Sequence, residues 1–119
     1  MNLKGTIQAL GLAVAVVIIA SPAIGRDNSA LKKRLTYLRD IEEVAWVEFE
    51  DNDVYVGFTH RPSDLAAVIN TAALHGNRAH GFGVHVWAVF ANPRGWRPGD
   101  GPYYCEATAR SDELKGSCD

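Results

Sequence analysis

The segment 82–91, FGVHVWAVFA, constrains the fold more than any other part of the chain, because it is apolar at nearly every position from Val84 onward. A strand with one face in water alternates apolar and polar residues, whereas a strand without alternation is covered on both faces. We therefore expect a strand in the middle of a sheet, with helices or a partner molecule over its second face. Pro93 ends this strand, since proline cannot donate a ladder hydrogen bond.

Two segments have the spacing of amphipathic helices. In residues 30–43, after the candidate N-caps Asn28 and Ser29, apolar side chains recur every three or four positions, at Leu31, Leu35, Leu38 and Ile41. In residues 63–76, Ser63 is the expected cap and Gly76 the expected stop. The buried stripe of this second helix is Leu65, Val68, Ile69, Ala72 and Ala73.

Residues 44–60 predict a β-hairpin, because two alternating strands flank a group of turn-forming residues. A two-residue turn at Asp51 and Asn52 places Trp46 opposite Gly57, and it pairs Phe49 with Val54, Val47 with Val56 and Ala45 with Phe58. Residues 103–110 alternate as a half-exposed strand. The order α-β-β-α-β-β thus predicts an α+β fold with a four-stranded, mainly antiparallel sheet and two helices packed on it.

The amino-terminal segment has the layout of a secretory signal peptide. Residues 6–20 are uncharged and follow Lys4, and small residues precede Arg26. We expect residues 1–25 to be a signal peptide cleaved near Gly25, and residues 26–119 to form a single secreted or periplasmic domain that meets the membrane only during export. The alternative is an uncleaved anchor over residues 6–24, which leaves the domain attached to the membrane and facing outside the cytoplasm.

The two cysteines of the chain, Cys105 and Cys118, both lie in the part expected to be exported. Disulfides persist in oxidising compartments, and a domain of this size has a small core. We therefore expect a Cys105–Cys118 disulfide that holds the carboxyl-terminal tail on the last strand.

Composition excludes several classes of protein. With 119 residues, 47% hydrophobic and 22% charged, the chain is a single globular domain. Its net charge of -2 does not favour nucleic-acid binding, and no motif indicates a cofactor. One local exception is a basic patch on the first helix, formed by Lys32, Lys33, Arg34 and Arg39, which we interpret first as a solvated face.

Four histidines fall within 26 positions, at His60, His75, His80 and His85. Imidazole is a common ligand of zinc and copper, so a small exported hydrolase or metal-dependent enzyme using this region is one hypothesis, with His80 and His85 as the metal candidates. Their spacing is not a ligand motif, however, and no nucleophile or oxyanion motif accompanies them. We assign no catalytic residue and expect no bound metal.

The loop over residues 92–102, NPRGWRPGDGP, contains three prolines and three glycines, and places Trp96 between Arg94 and Arg97. Long loops of this kind in small domains are functional or disordered. This arrangement combines the flat apolar ring of Trp96 with the cations of Arg94 and Arg97. Such a site can bind a carboxylate, a phosphate or an aromatic group. In the alternative, Trp96 folds back as a lid over the edge of the sheet, and the two arginines are solvated. We expect a binding protein that recognises a protein or cell-envelope partner through this loop; a membrane-anchored accessory subunit follows if the anchor is retained.

Overall fold

Residues 27–119, which the computed structural model describes, form two α-helices, one 3₁₀ helix and five strands. The predicted signal peptide and its anchor alternative lie outside the described residues. The elements are α1 (Ser29–Arg34), the 3₁₀ helix η1 (Thr36–Asp40), β1 (Val44–Glu50), β2 (Asp53–Phe58), α2 (Leu65–His80), β3 (Val84–Phe90), β4 (Cys105–Arg110) and β5 (Glu113–Gly116). None of the helices within residues 27–119 has the length and apolar character to cross a membrane.

The α+β class is confirmed, but the sheet has five strands in the order β1-β2-β3-β4-β5 and is mixed. Three of the four strand pairings are antiparallel, but the sheet differs from the expected four-stranded one in two respects. First, β2 and β3 are parallel, because α2 returns the chain to the end of the sheet where β2 begins. Second, a tight turn with positive φ at Ser111 and Asp112 adds β5, whose four residues are all exposed and have no apolar alternation.

The predicted hairpin register is confirmed over most of its length. Trp46 lies opposite Gly57, Val47 opposite Val56 and Phe49 opposite Val54. At the open end, however, Val44 and not Ala45 pairs with Phe58, because the register shifts between Val44 and Trp46. The shift leaves Ala45 exposed and keeps Trp46 on the face away from the helices.

Both predicted helices differ from the expectation at their carboxyl ends. The first stops at Arg34 and continues as η1, so Leu31, Leu35 and Leu38 are buried by two short helices instead of one. The second runs through Gly76 and ends at Gly81, whose φ of 79° is the left-handed conformation that glycine favours at a helix end. Gly76 is needed inside the helix because a Cβ there would lie 2.7 Å from Cδ1 of Leu31.

The main core lies between the helices and one face of the sheet. Its fully buried large side chains include Phe58, Leu65, Ile69, Val84 and Val86. The Cys105–Cys118 disulfide, with 5.0 Å between the Cα atoms, belongs to this core and ties the tail to β4, as predicted. The central position of β3 is confirmed too, and its second face is covered by a segment of the same chain.

Candidate functional site

The 92–102 loop lies over the second face of the sheet, and Trp96 attaches it there. The Trp96 side chain is only 7% exposed and packs against Tyr55, Trp87 and Tyr103, with ring centroids 6.3, 5.5 and 5.1 Å away. Its Nε1 donates to the carbonyl of Gly101 at 3.3 Å. Trp46, Tyr55, Val89 and Trp96 form a second buried cluster. Trp96 is therefore a buried lid, as in the alternative, but it covers the face of the central strands and not the edge of the sheet.

Arg94 and Arg97 both connect the loop to strand β1. The Nε atom of Arg94 donates to Oε2 of Glu48 at 2.7 Å, and its guanidinium lies 5.3 Å from the Trp46 ring centroid. Arg97 donates to Oε1 of Glu50 at 3.1 Å, and its Nη1 lies 3.6 Å from Oε1 of Glu48. The two arginines are therefore both joined to strand β1. They do not form a binding surface with an exposed Trp96 ring, as the sequence analysis expected.

Arg97 also lies 4.2 Å from the ring centroid of Tyr55, the shortest cation–π distance among the described residues. Burial raises the pKa of Tyr55, and the carboxylates of Asp53 and Glu50 raise it further, while Arg97 opposes them. Tyr55 is thus a neutral phenol at physiological pH, and it serves as a platform for the guanidinium.

The 92–102 loop separates two surface cavities that share Gly95. The first, of about 400 Å³, is lined by Phe90, Pro93, Arg94, Gly95, Trp96, Asp100 and Pro102. The second, of about 550 Å³, is lined by Lys32, Arg39, Val47, Glu48, Phe49, Gly95 and Arg97. Of the three residues predicted to form one site, Arg94 and Trp96 line the first cavity, whereas Arg97 lines the second. The first cavity is therefore the candidate site of the loop.

The four histidines occupy four different environments. His60 is an exposed residue near Glu43, and His75 contacts the hydroxyl of Tyr37 through Nδ1 at 3.2 Å. His80 packs on Phe82, and His85 donates through Nε2 to Glu106 at 2.8 Å. Within residues 27–119, no three histidine, cysteine, aspartate or glutamate side chains are grouped closely enough to hold a metal ion.

The His85–Glu106 pair is a feature that the sequence analysis missed. The ring of His85 stacks on Trp87 with 4.0 Å between centroids, and Trp87 pairs with Glu106 across the neighbouring strand. The alternation of β3 and β4 places His85, Trp87 and Glu106 on one face, but their proximity depends on the register between two strands that are separated by a long loop. If a short turn joined β3 to β4, its length would fix which residues of the two strands lie opposite each other, and the pair could be predicted from the sequence.

Protein-family models, curated proteins and solved structures give no match to this chain.

Proposed function

We propose that this protein is an exported binding protein that recognises a protein or cell-envelope partner through the 92–102 loop. The observation that carries the proposal is the preorganisation of this loop, in which Trp96 is buried and Arg94 and Arg97 are both joined to β1. A loop that is already ordered loses little conformational entropy when a partner binds, so more of the contact energy appears as affinity.

The first cavity supplies the binding surface in this proposal. Its lining is mostly apolar and includes Phe90, Pro93 and Pro102. Two charged side chains, Arg94 and Asp100, also line the cavity. Sites that take a ligand group or an anchor side chain commonly combine an apolar lining with a few placed polar groups. Arg94 remains 62% exposed in spite of its ion pair, so its free donors are available to a carboxylate or a carbonyl of the partner.

A secreted or periplasmic location is part of the same proposal. It is supported by the uncharged apolar segment 6–20 and by the Cys105–Cys118 disulfide, a bond that is rare in the reducing cytosol. Retention of residues 6–24 as an anchor would place the same domain, and the same loop, on the membrane surface outside the cytoplasm.

The test compares two arginine variants in affinity capture from the native cell envelope with chemical cross-linking and mass spectrometry. Arg94→Ala removes a cavity residue, and Arg78→Ala is its matched control, because Arg78 also makes a 2.7 Å ion pair and is 60% exposed, but on α2. We expect wild type and Arg78→Ala to recover the same partner and Arg94→Ala to lose it. Equal recovery by all three proteins would contradict the proposal.

A further inference from the structure

The second cavity brings together cations from three separate parts of the chain. Lys32 lies on α1, Arg39 on η1 and Arg97 in the 92–102 loop. We call this cavity the cationic groove; its remaining lining consists of Val47, Glu48, Phe49 and Gly95. From this geometry we propose that the cationic groove binds a phosphate group.

Two of the three cations are held in place before any ligand arrives. The Nη2 atom of Arg39 donates to the carbonyl of Val47 at 3.3 Å, and its guanidinium lies 5.9 Å from the Phe49 ring centroid. Arg97 is fixed by Glu50 and by the Tyr55 ring. An anion that enters the groove therefore meets oriented donors, and less ordering entropy opposes its binding.

The charges at the groove leave a positive excess. The carboxylate of Glu48 is shared between Arg94 and Arg97, and Glu50 contacts Arg97 as well. Within residues 27–119, Lys32 and Arg39 form no ion pair, although Lys32 interacts with the carboxylate of Asp27 beyond ion-pair distance. The four cations Lys32, Arg39, Arg94 and Arg97 therefore still outnumber the three carboxylates of Asp27, Glu48 and Glu50. This local excess stands out because the chain as a whole has a net charge of -2.

The arrangement suits a phosphate better than a carboxylate. A carboxylate is satisfied by the fork of a single arginine, whereas a phosphate has three or more oxygens that can each take a donor from a different direction. The cations that line the groove come from three separate elements, α1, η1 and the loop, so more than one of them can donate to the same phosphate. The phosphate can be that of a lipid headgroup or of a soluble ion or ester, which share this chemistry.

The groove shares Gly95 and Arg97 with the 92–102 loop, but its test is separable from that of the proposed function, because the first cavity contains neither Lys32 nor Arg39. The test uses the double variant Lys32→Gln/Arg39→Gln. Its matched control is Lys33→Gln/Arg34→Gln, which makes the same change of charge at positions that line a different cavity beside Tyr37. Thermal melts establish that both variants remain folded.

Two probes distinguish the sources of phosphate. One arm titrates the ¹⁵N-labelled protein with inorganic phosphate against sodium chloride at equal ionic strength; the other measures flotation with phosphatidylglycerol vesicles against phosphatidylcholine vesicles. We expect binding in at least one arm, with a Kd weakened about tenfold or more in Lys32→Gln/Arg39→Gln and nearly unchanged in the control, because the double variant removes charge-assisted contacts to the phosphate. Binding to vesicles alone identifies a lipid headgroup, and binding in the phosphate titration identifies a soluble ligand. No binding in either arm, or equal weakening in both variants, would overturn the inference.

Discussion

Trp96 has a structural role, although the sequence also predicts it as an exposed aromatic residue that contacts a partner. Its ring packs on Trp87 and Tyr103 and is buried, while the loop's ion pairs with Glu48 and Glu50 remain partly exposed. Exposed ion pairs contribute at most about 1 kcal/mol each, whereas full burial of a large aromatic side chain contributes several times more. Burial of Trp96 therefore contributes most of the free energy that keeps the loop on the sheet, and the ion pairs of Arg94 and Arg97 fix the orientation of the loop.

Trp96→Ala should lower the free energy of unfolding by about 3 kcal/mol, because it removes the largest buried side chain of the loop and leaves a cavity. Equilibrium urea denaturation measures the change. Arg94→Ala serves as the control and should cost about 1 kcal/mol or less. If the midpoint for Trp96→Ala matched that of the wild type, the buried position of the ring would be contradicted.

Gly57→Ala should destabilise the domain by about 1–3 kcal/mol, since a Cβ at this position would collide with the Trp46 ring. The Trp46 ring lies across the glycine backbone, and its Nε1 donates to the carbonyl of Ala91 at 2.9 Å, so it cannot easily move. A double-mutant cycle with Trp46→Ala checks this reason. In the Trp46→Ala background the cost of Gly57→Ala should vanish, and an unchanged cost would show that the glycine is needed for some other reason.

The secondary-structure elements illustrate how packing overrides local pattern. The spacing of Leu31, Leu35 and Leu38 predicts one helix, yet the chain tightens to a 3₁₀ turn after Leu35 and still buries all three leucines. The residue type of Gly76 predicts the end of a helix, yet α2 continues through it. Glycine is accommodated there because the backbone of α2 lies close to the side chains of Leu31 and Val84. The two helices and strands β1 to β4 were predictable as elements, whereas the helix ends, the 3₁₀ helix η1 and the strand β5 were not.

The last element, β5, depends on the disulfide for part of its attachment. Replacing both Cys105 and Cys118 by alanine should lower the free energy of unfolding by about 3 kcal/mol, the cost of opening a loop of this length in the chain-entropy model. Equilibrium urea denaturation measures this loss, and hydrogen exchange should accelerate throughout the domain, with the least protection in β5 and the tail that follows it. Reduction of the wild type provides the control and should give a similar loss; an unchanged free energy of unfolding in the double variant would contradict the prediction.

The domain as one body has two layers over a single sheet, with helices on one face and the 92–102 loop on the other. Both layers pack on β3, which explains why this strand is apolar on both faces. The same packing buries groups that titrate. Burial lowers the pKa of His75, and the nearby charges of Arg34 and Arg78 lower it further.

Because its pKa is lowered in the folded state, His75 binds a proton more readily in the unfolded chain. Its contribution to stability is therefore complete above the ordinary histidine pKa and is lost as the pH falls through that range towards the lowered value. Melting temperatures of wild type and His75→Gln, measured between pH 5 and pH 8 in parallel, should converge on the acid side of this window. A constant difference across the range would contradict the linkage.

Features that depend on neighbours along the chain could be read from the residues alone. The apolar run of β3, the hairpin register around Trp46 and Gly57, and the Cys105–Cys118 pairing each follow from local periodicity or from the presence of just two cysteines. Local periodicity decides the first two features because the side chains of a strand alternate between its faces in any fold, and the third follows because two cysteines allow one pairing.

Features that depend on contacts between segments far apart in the sequence could be identified only in the tertiary structure. The parallel pairing of β2 with β3, the cover that the 92–102 loop provides, and the division of Arg94 from Arg97 are of this kind. So is the meeting of Lys32 with Arg97 in one groove. No periodicity specifies which of several compatible faces will meet, because that choice is made by the joint packing of all the elements around one sheet.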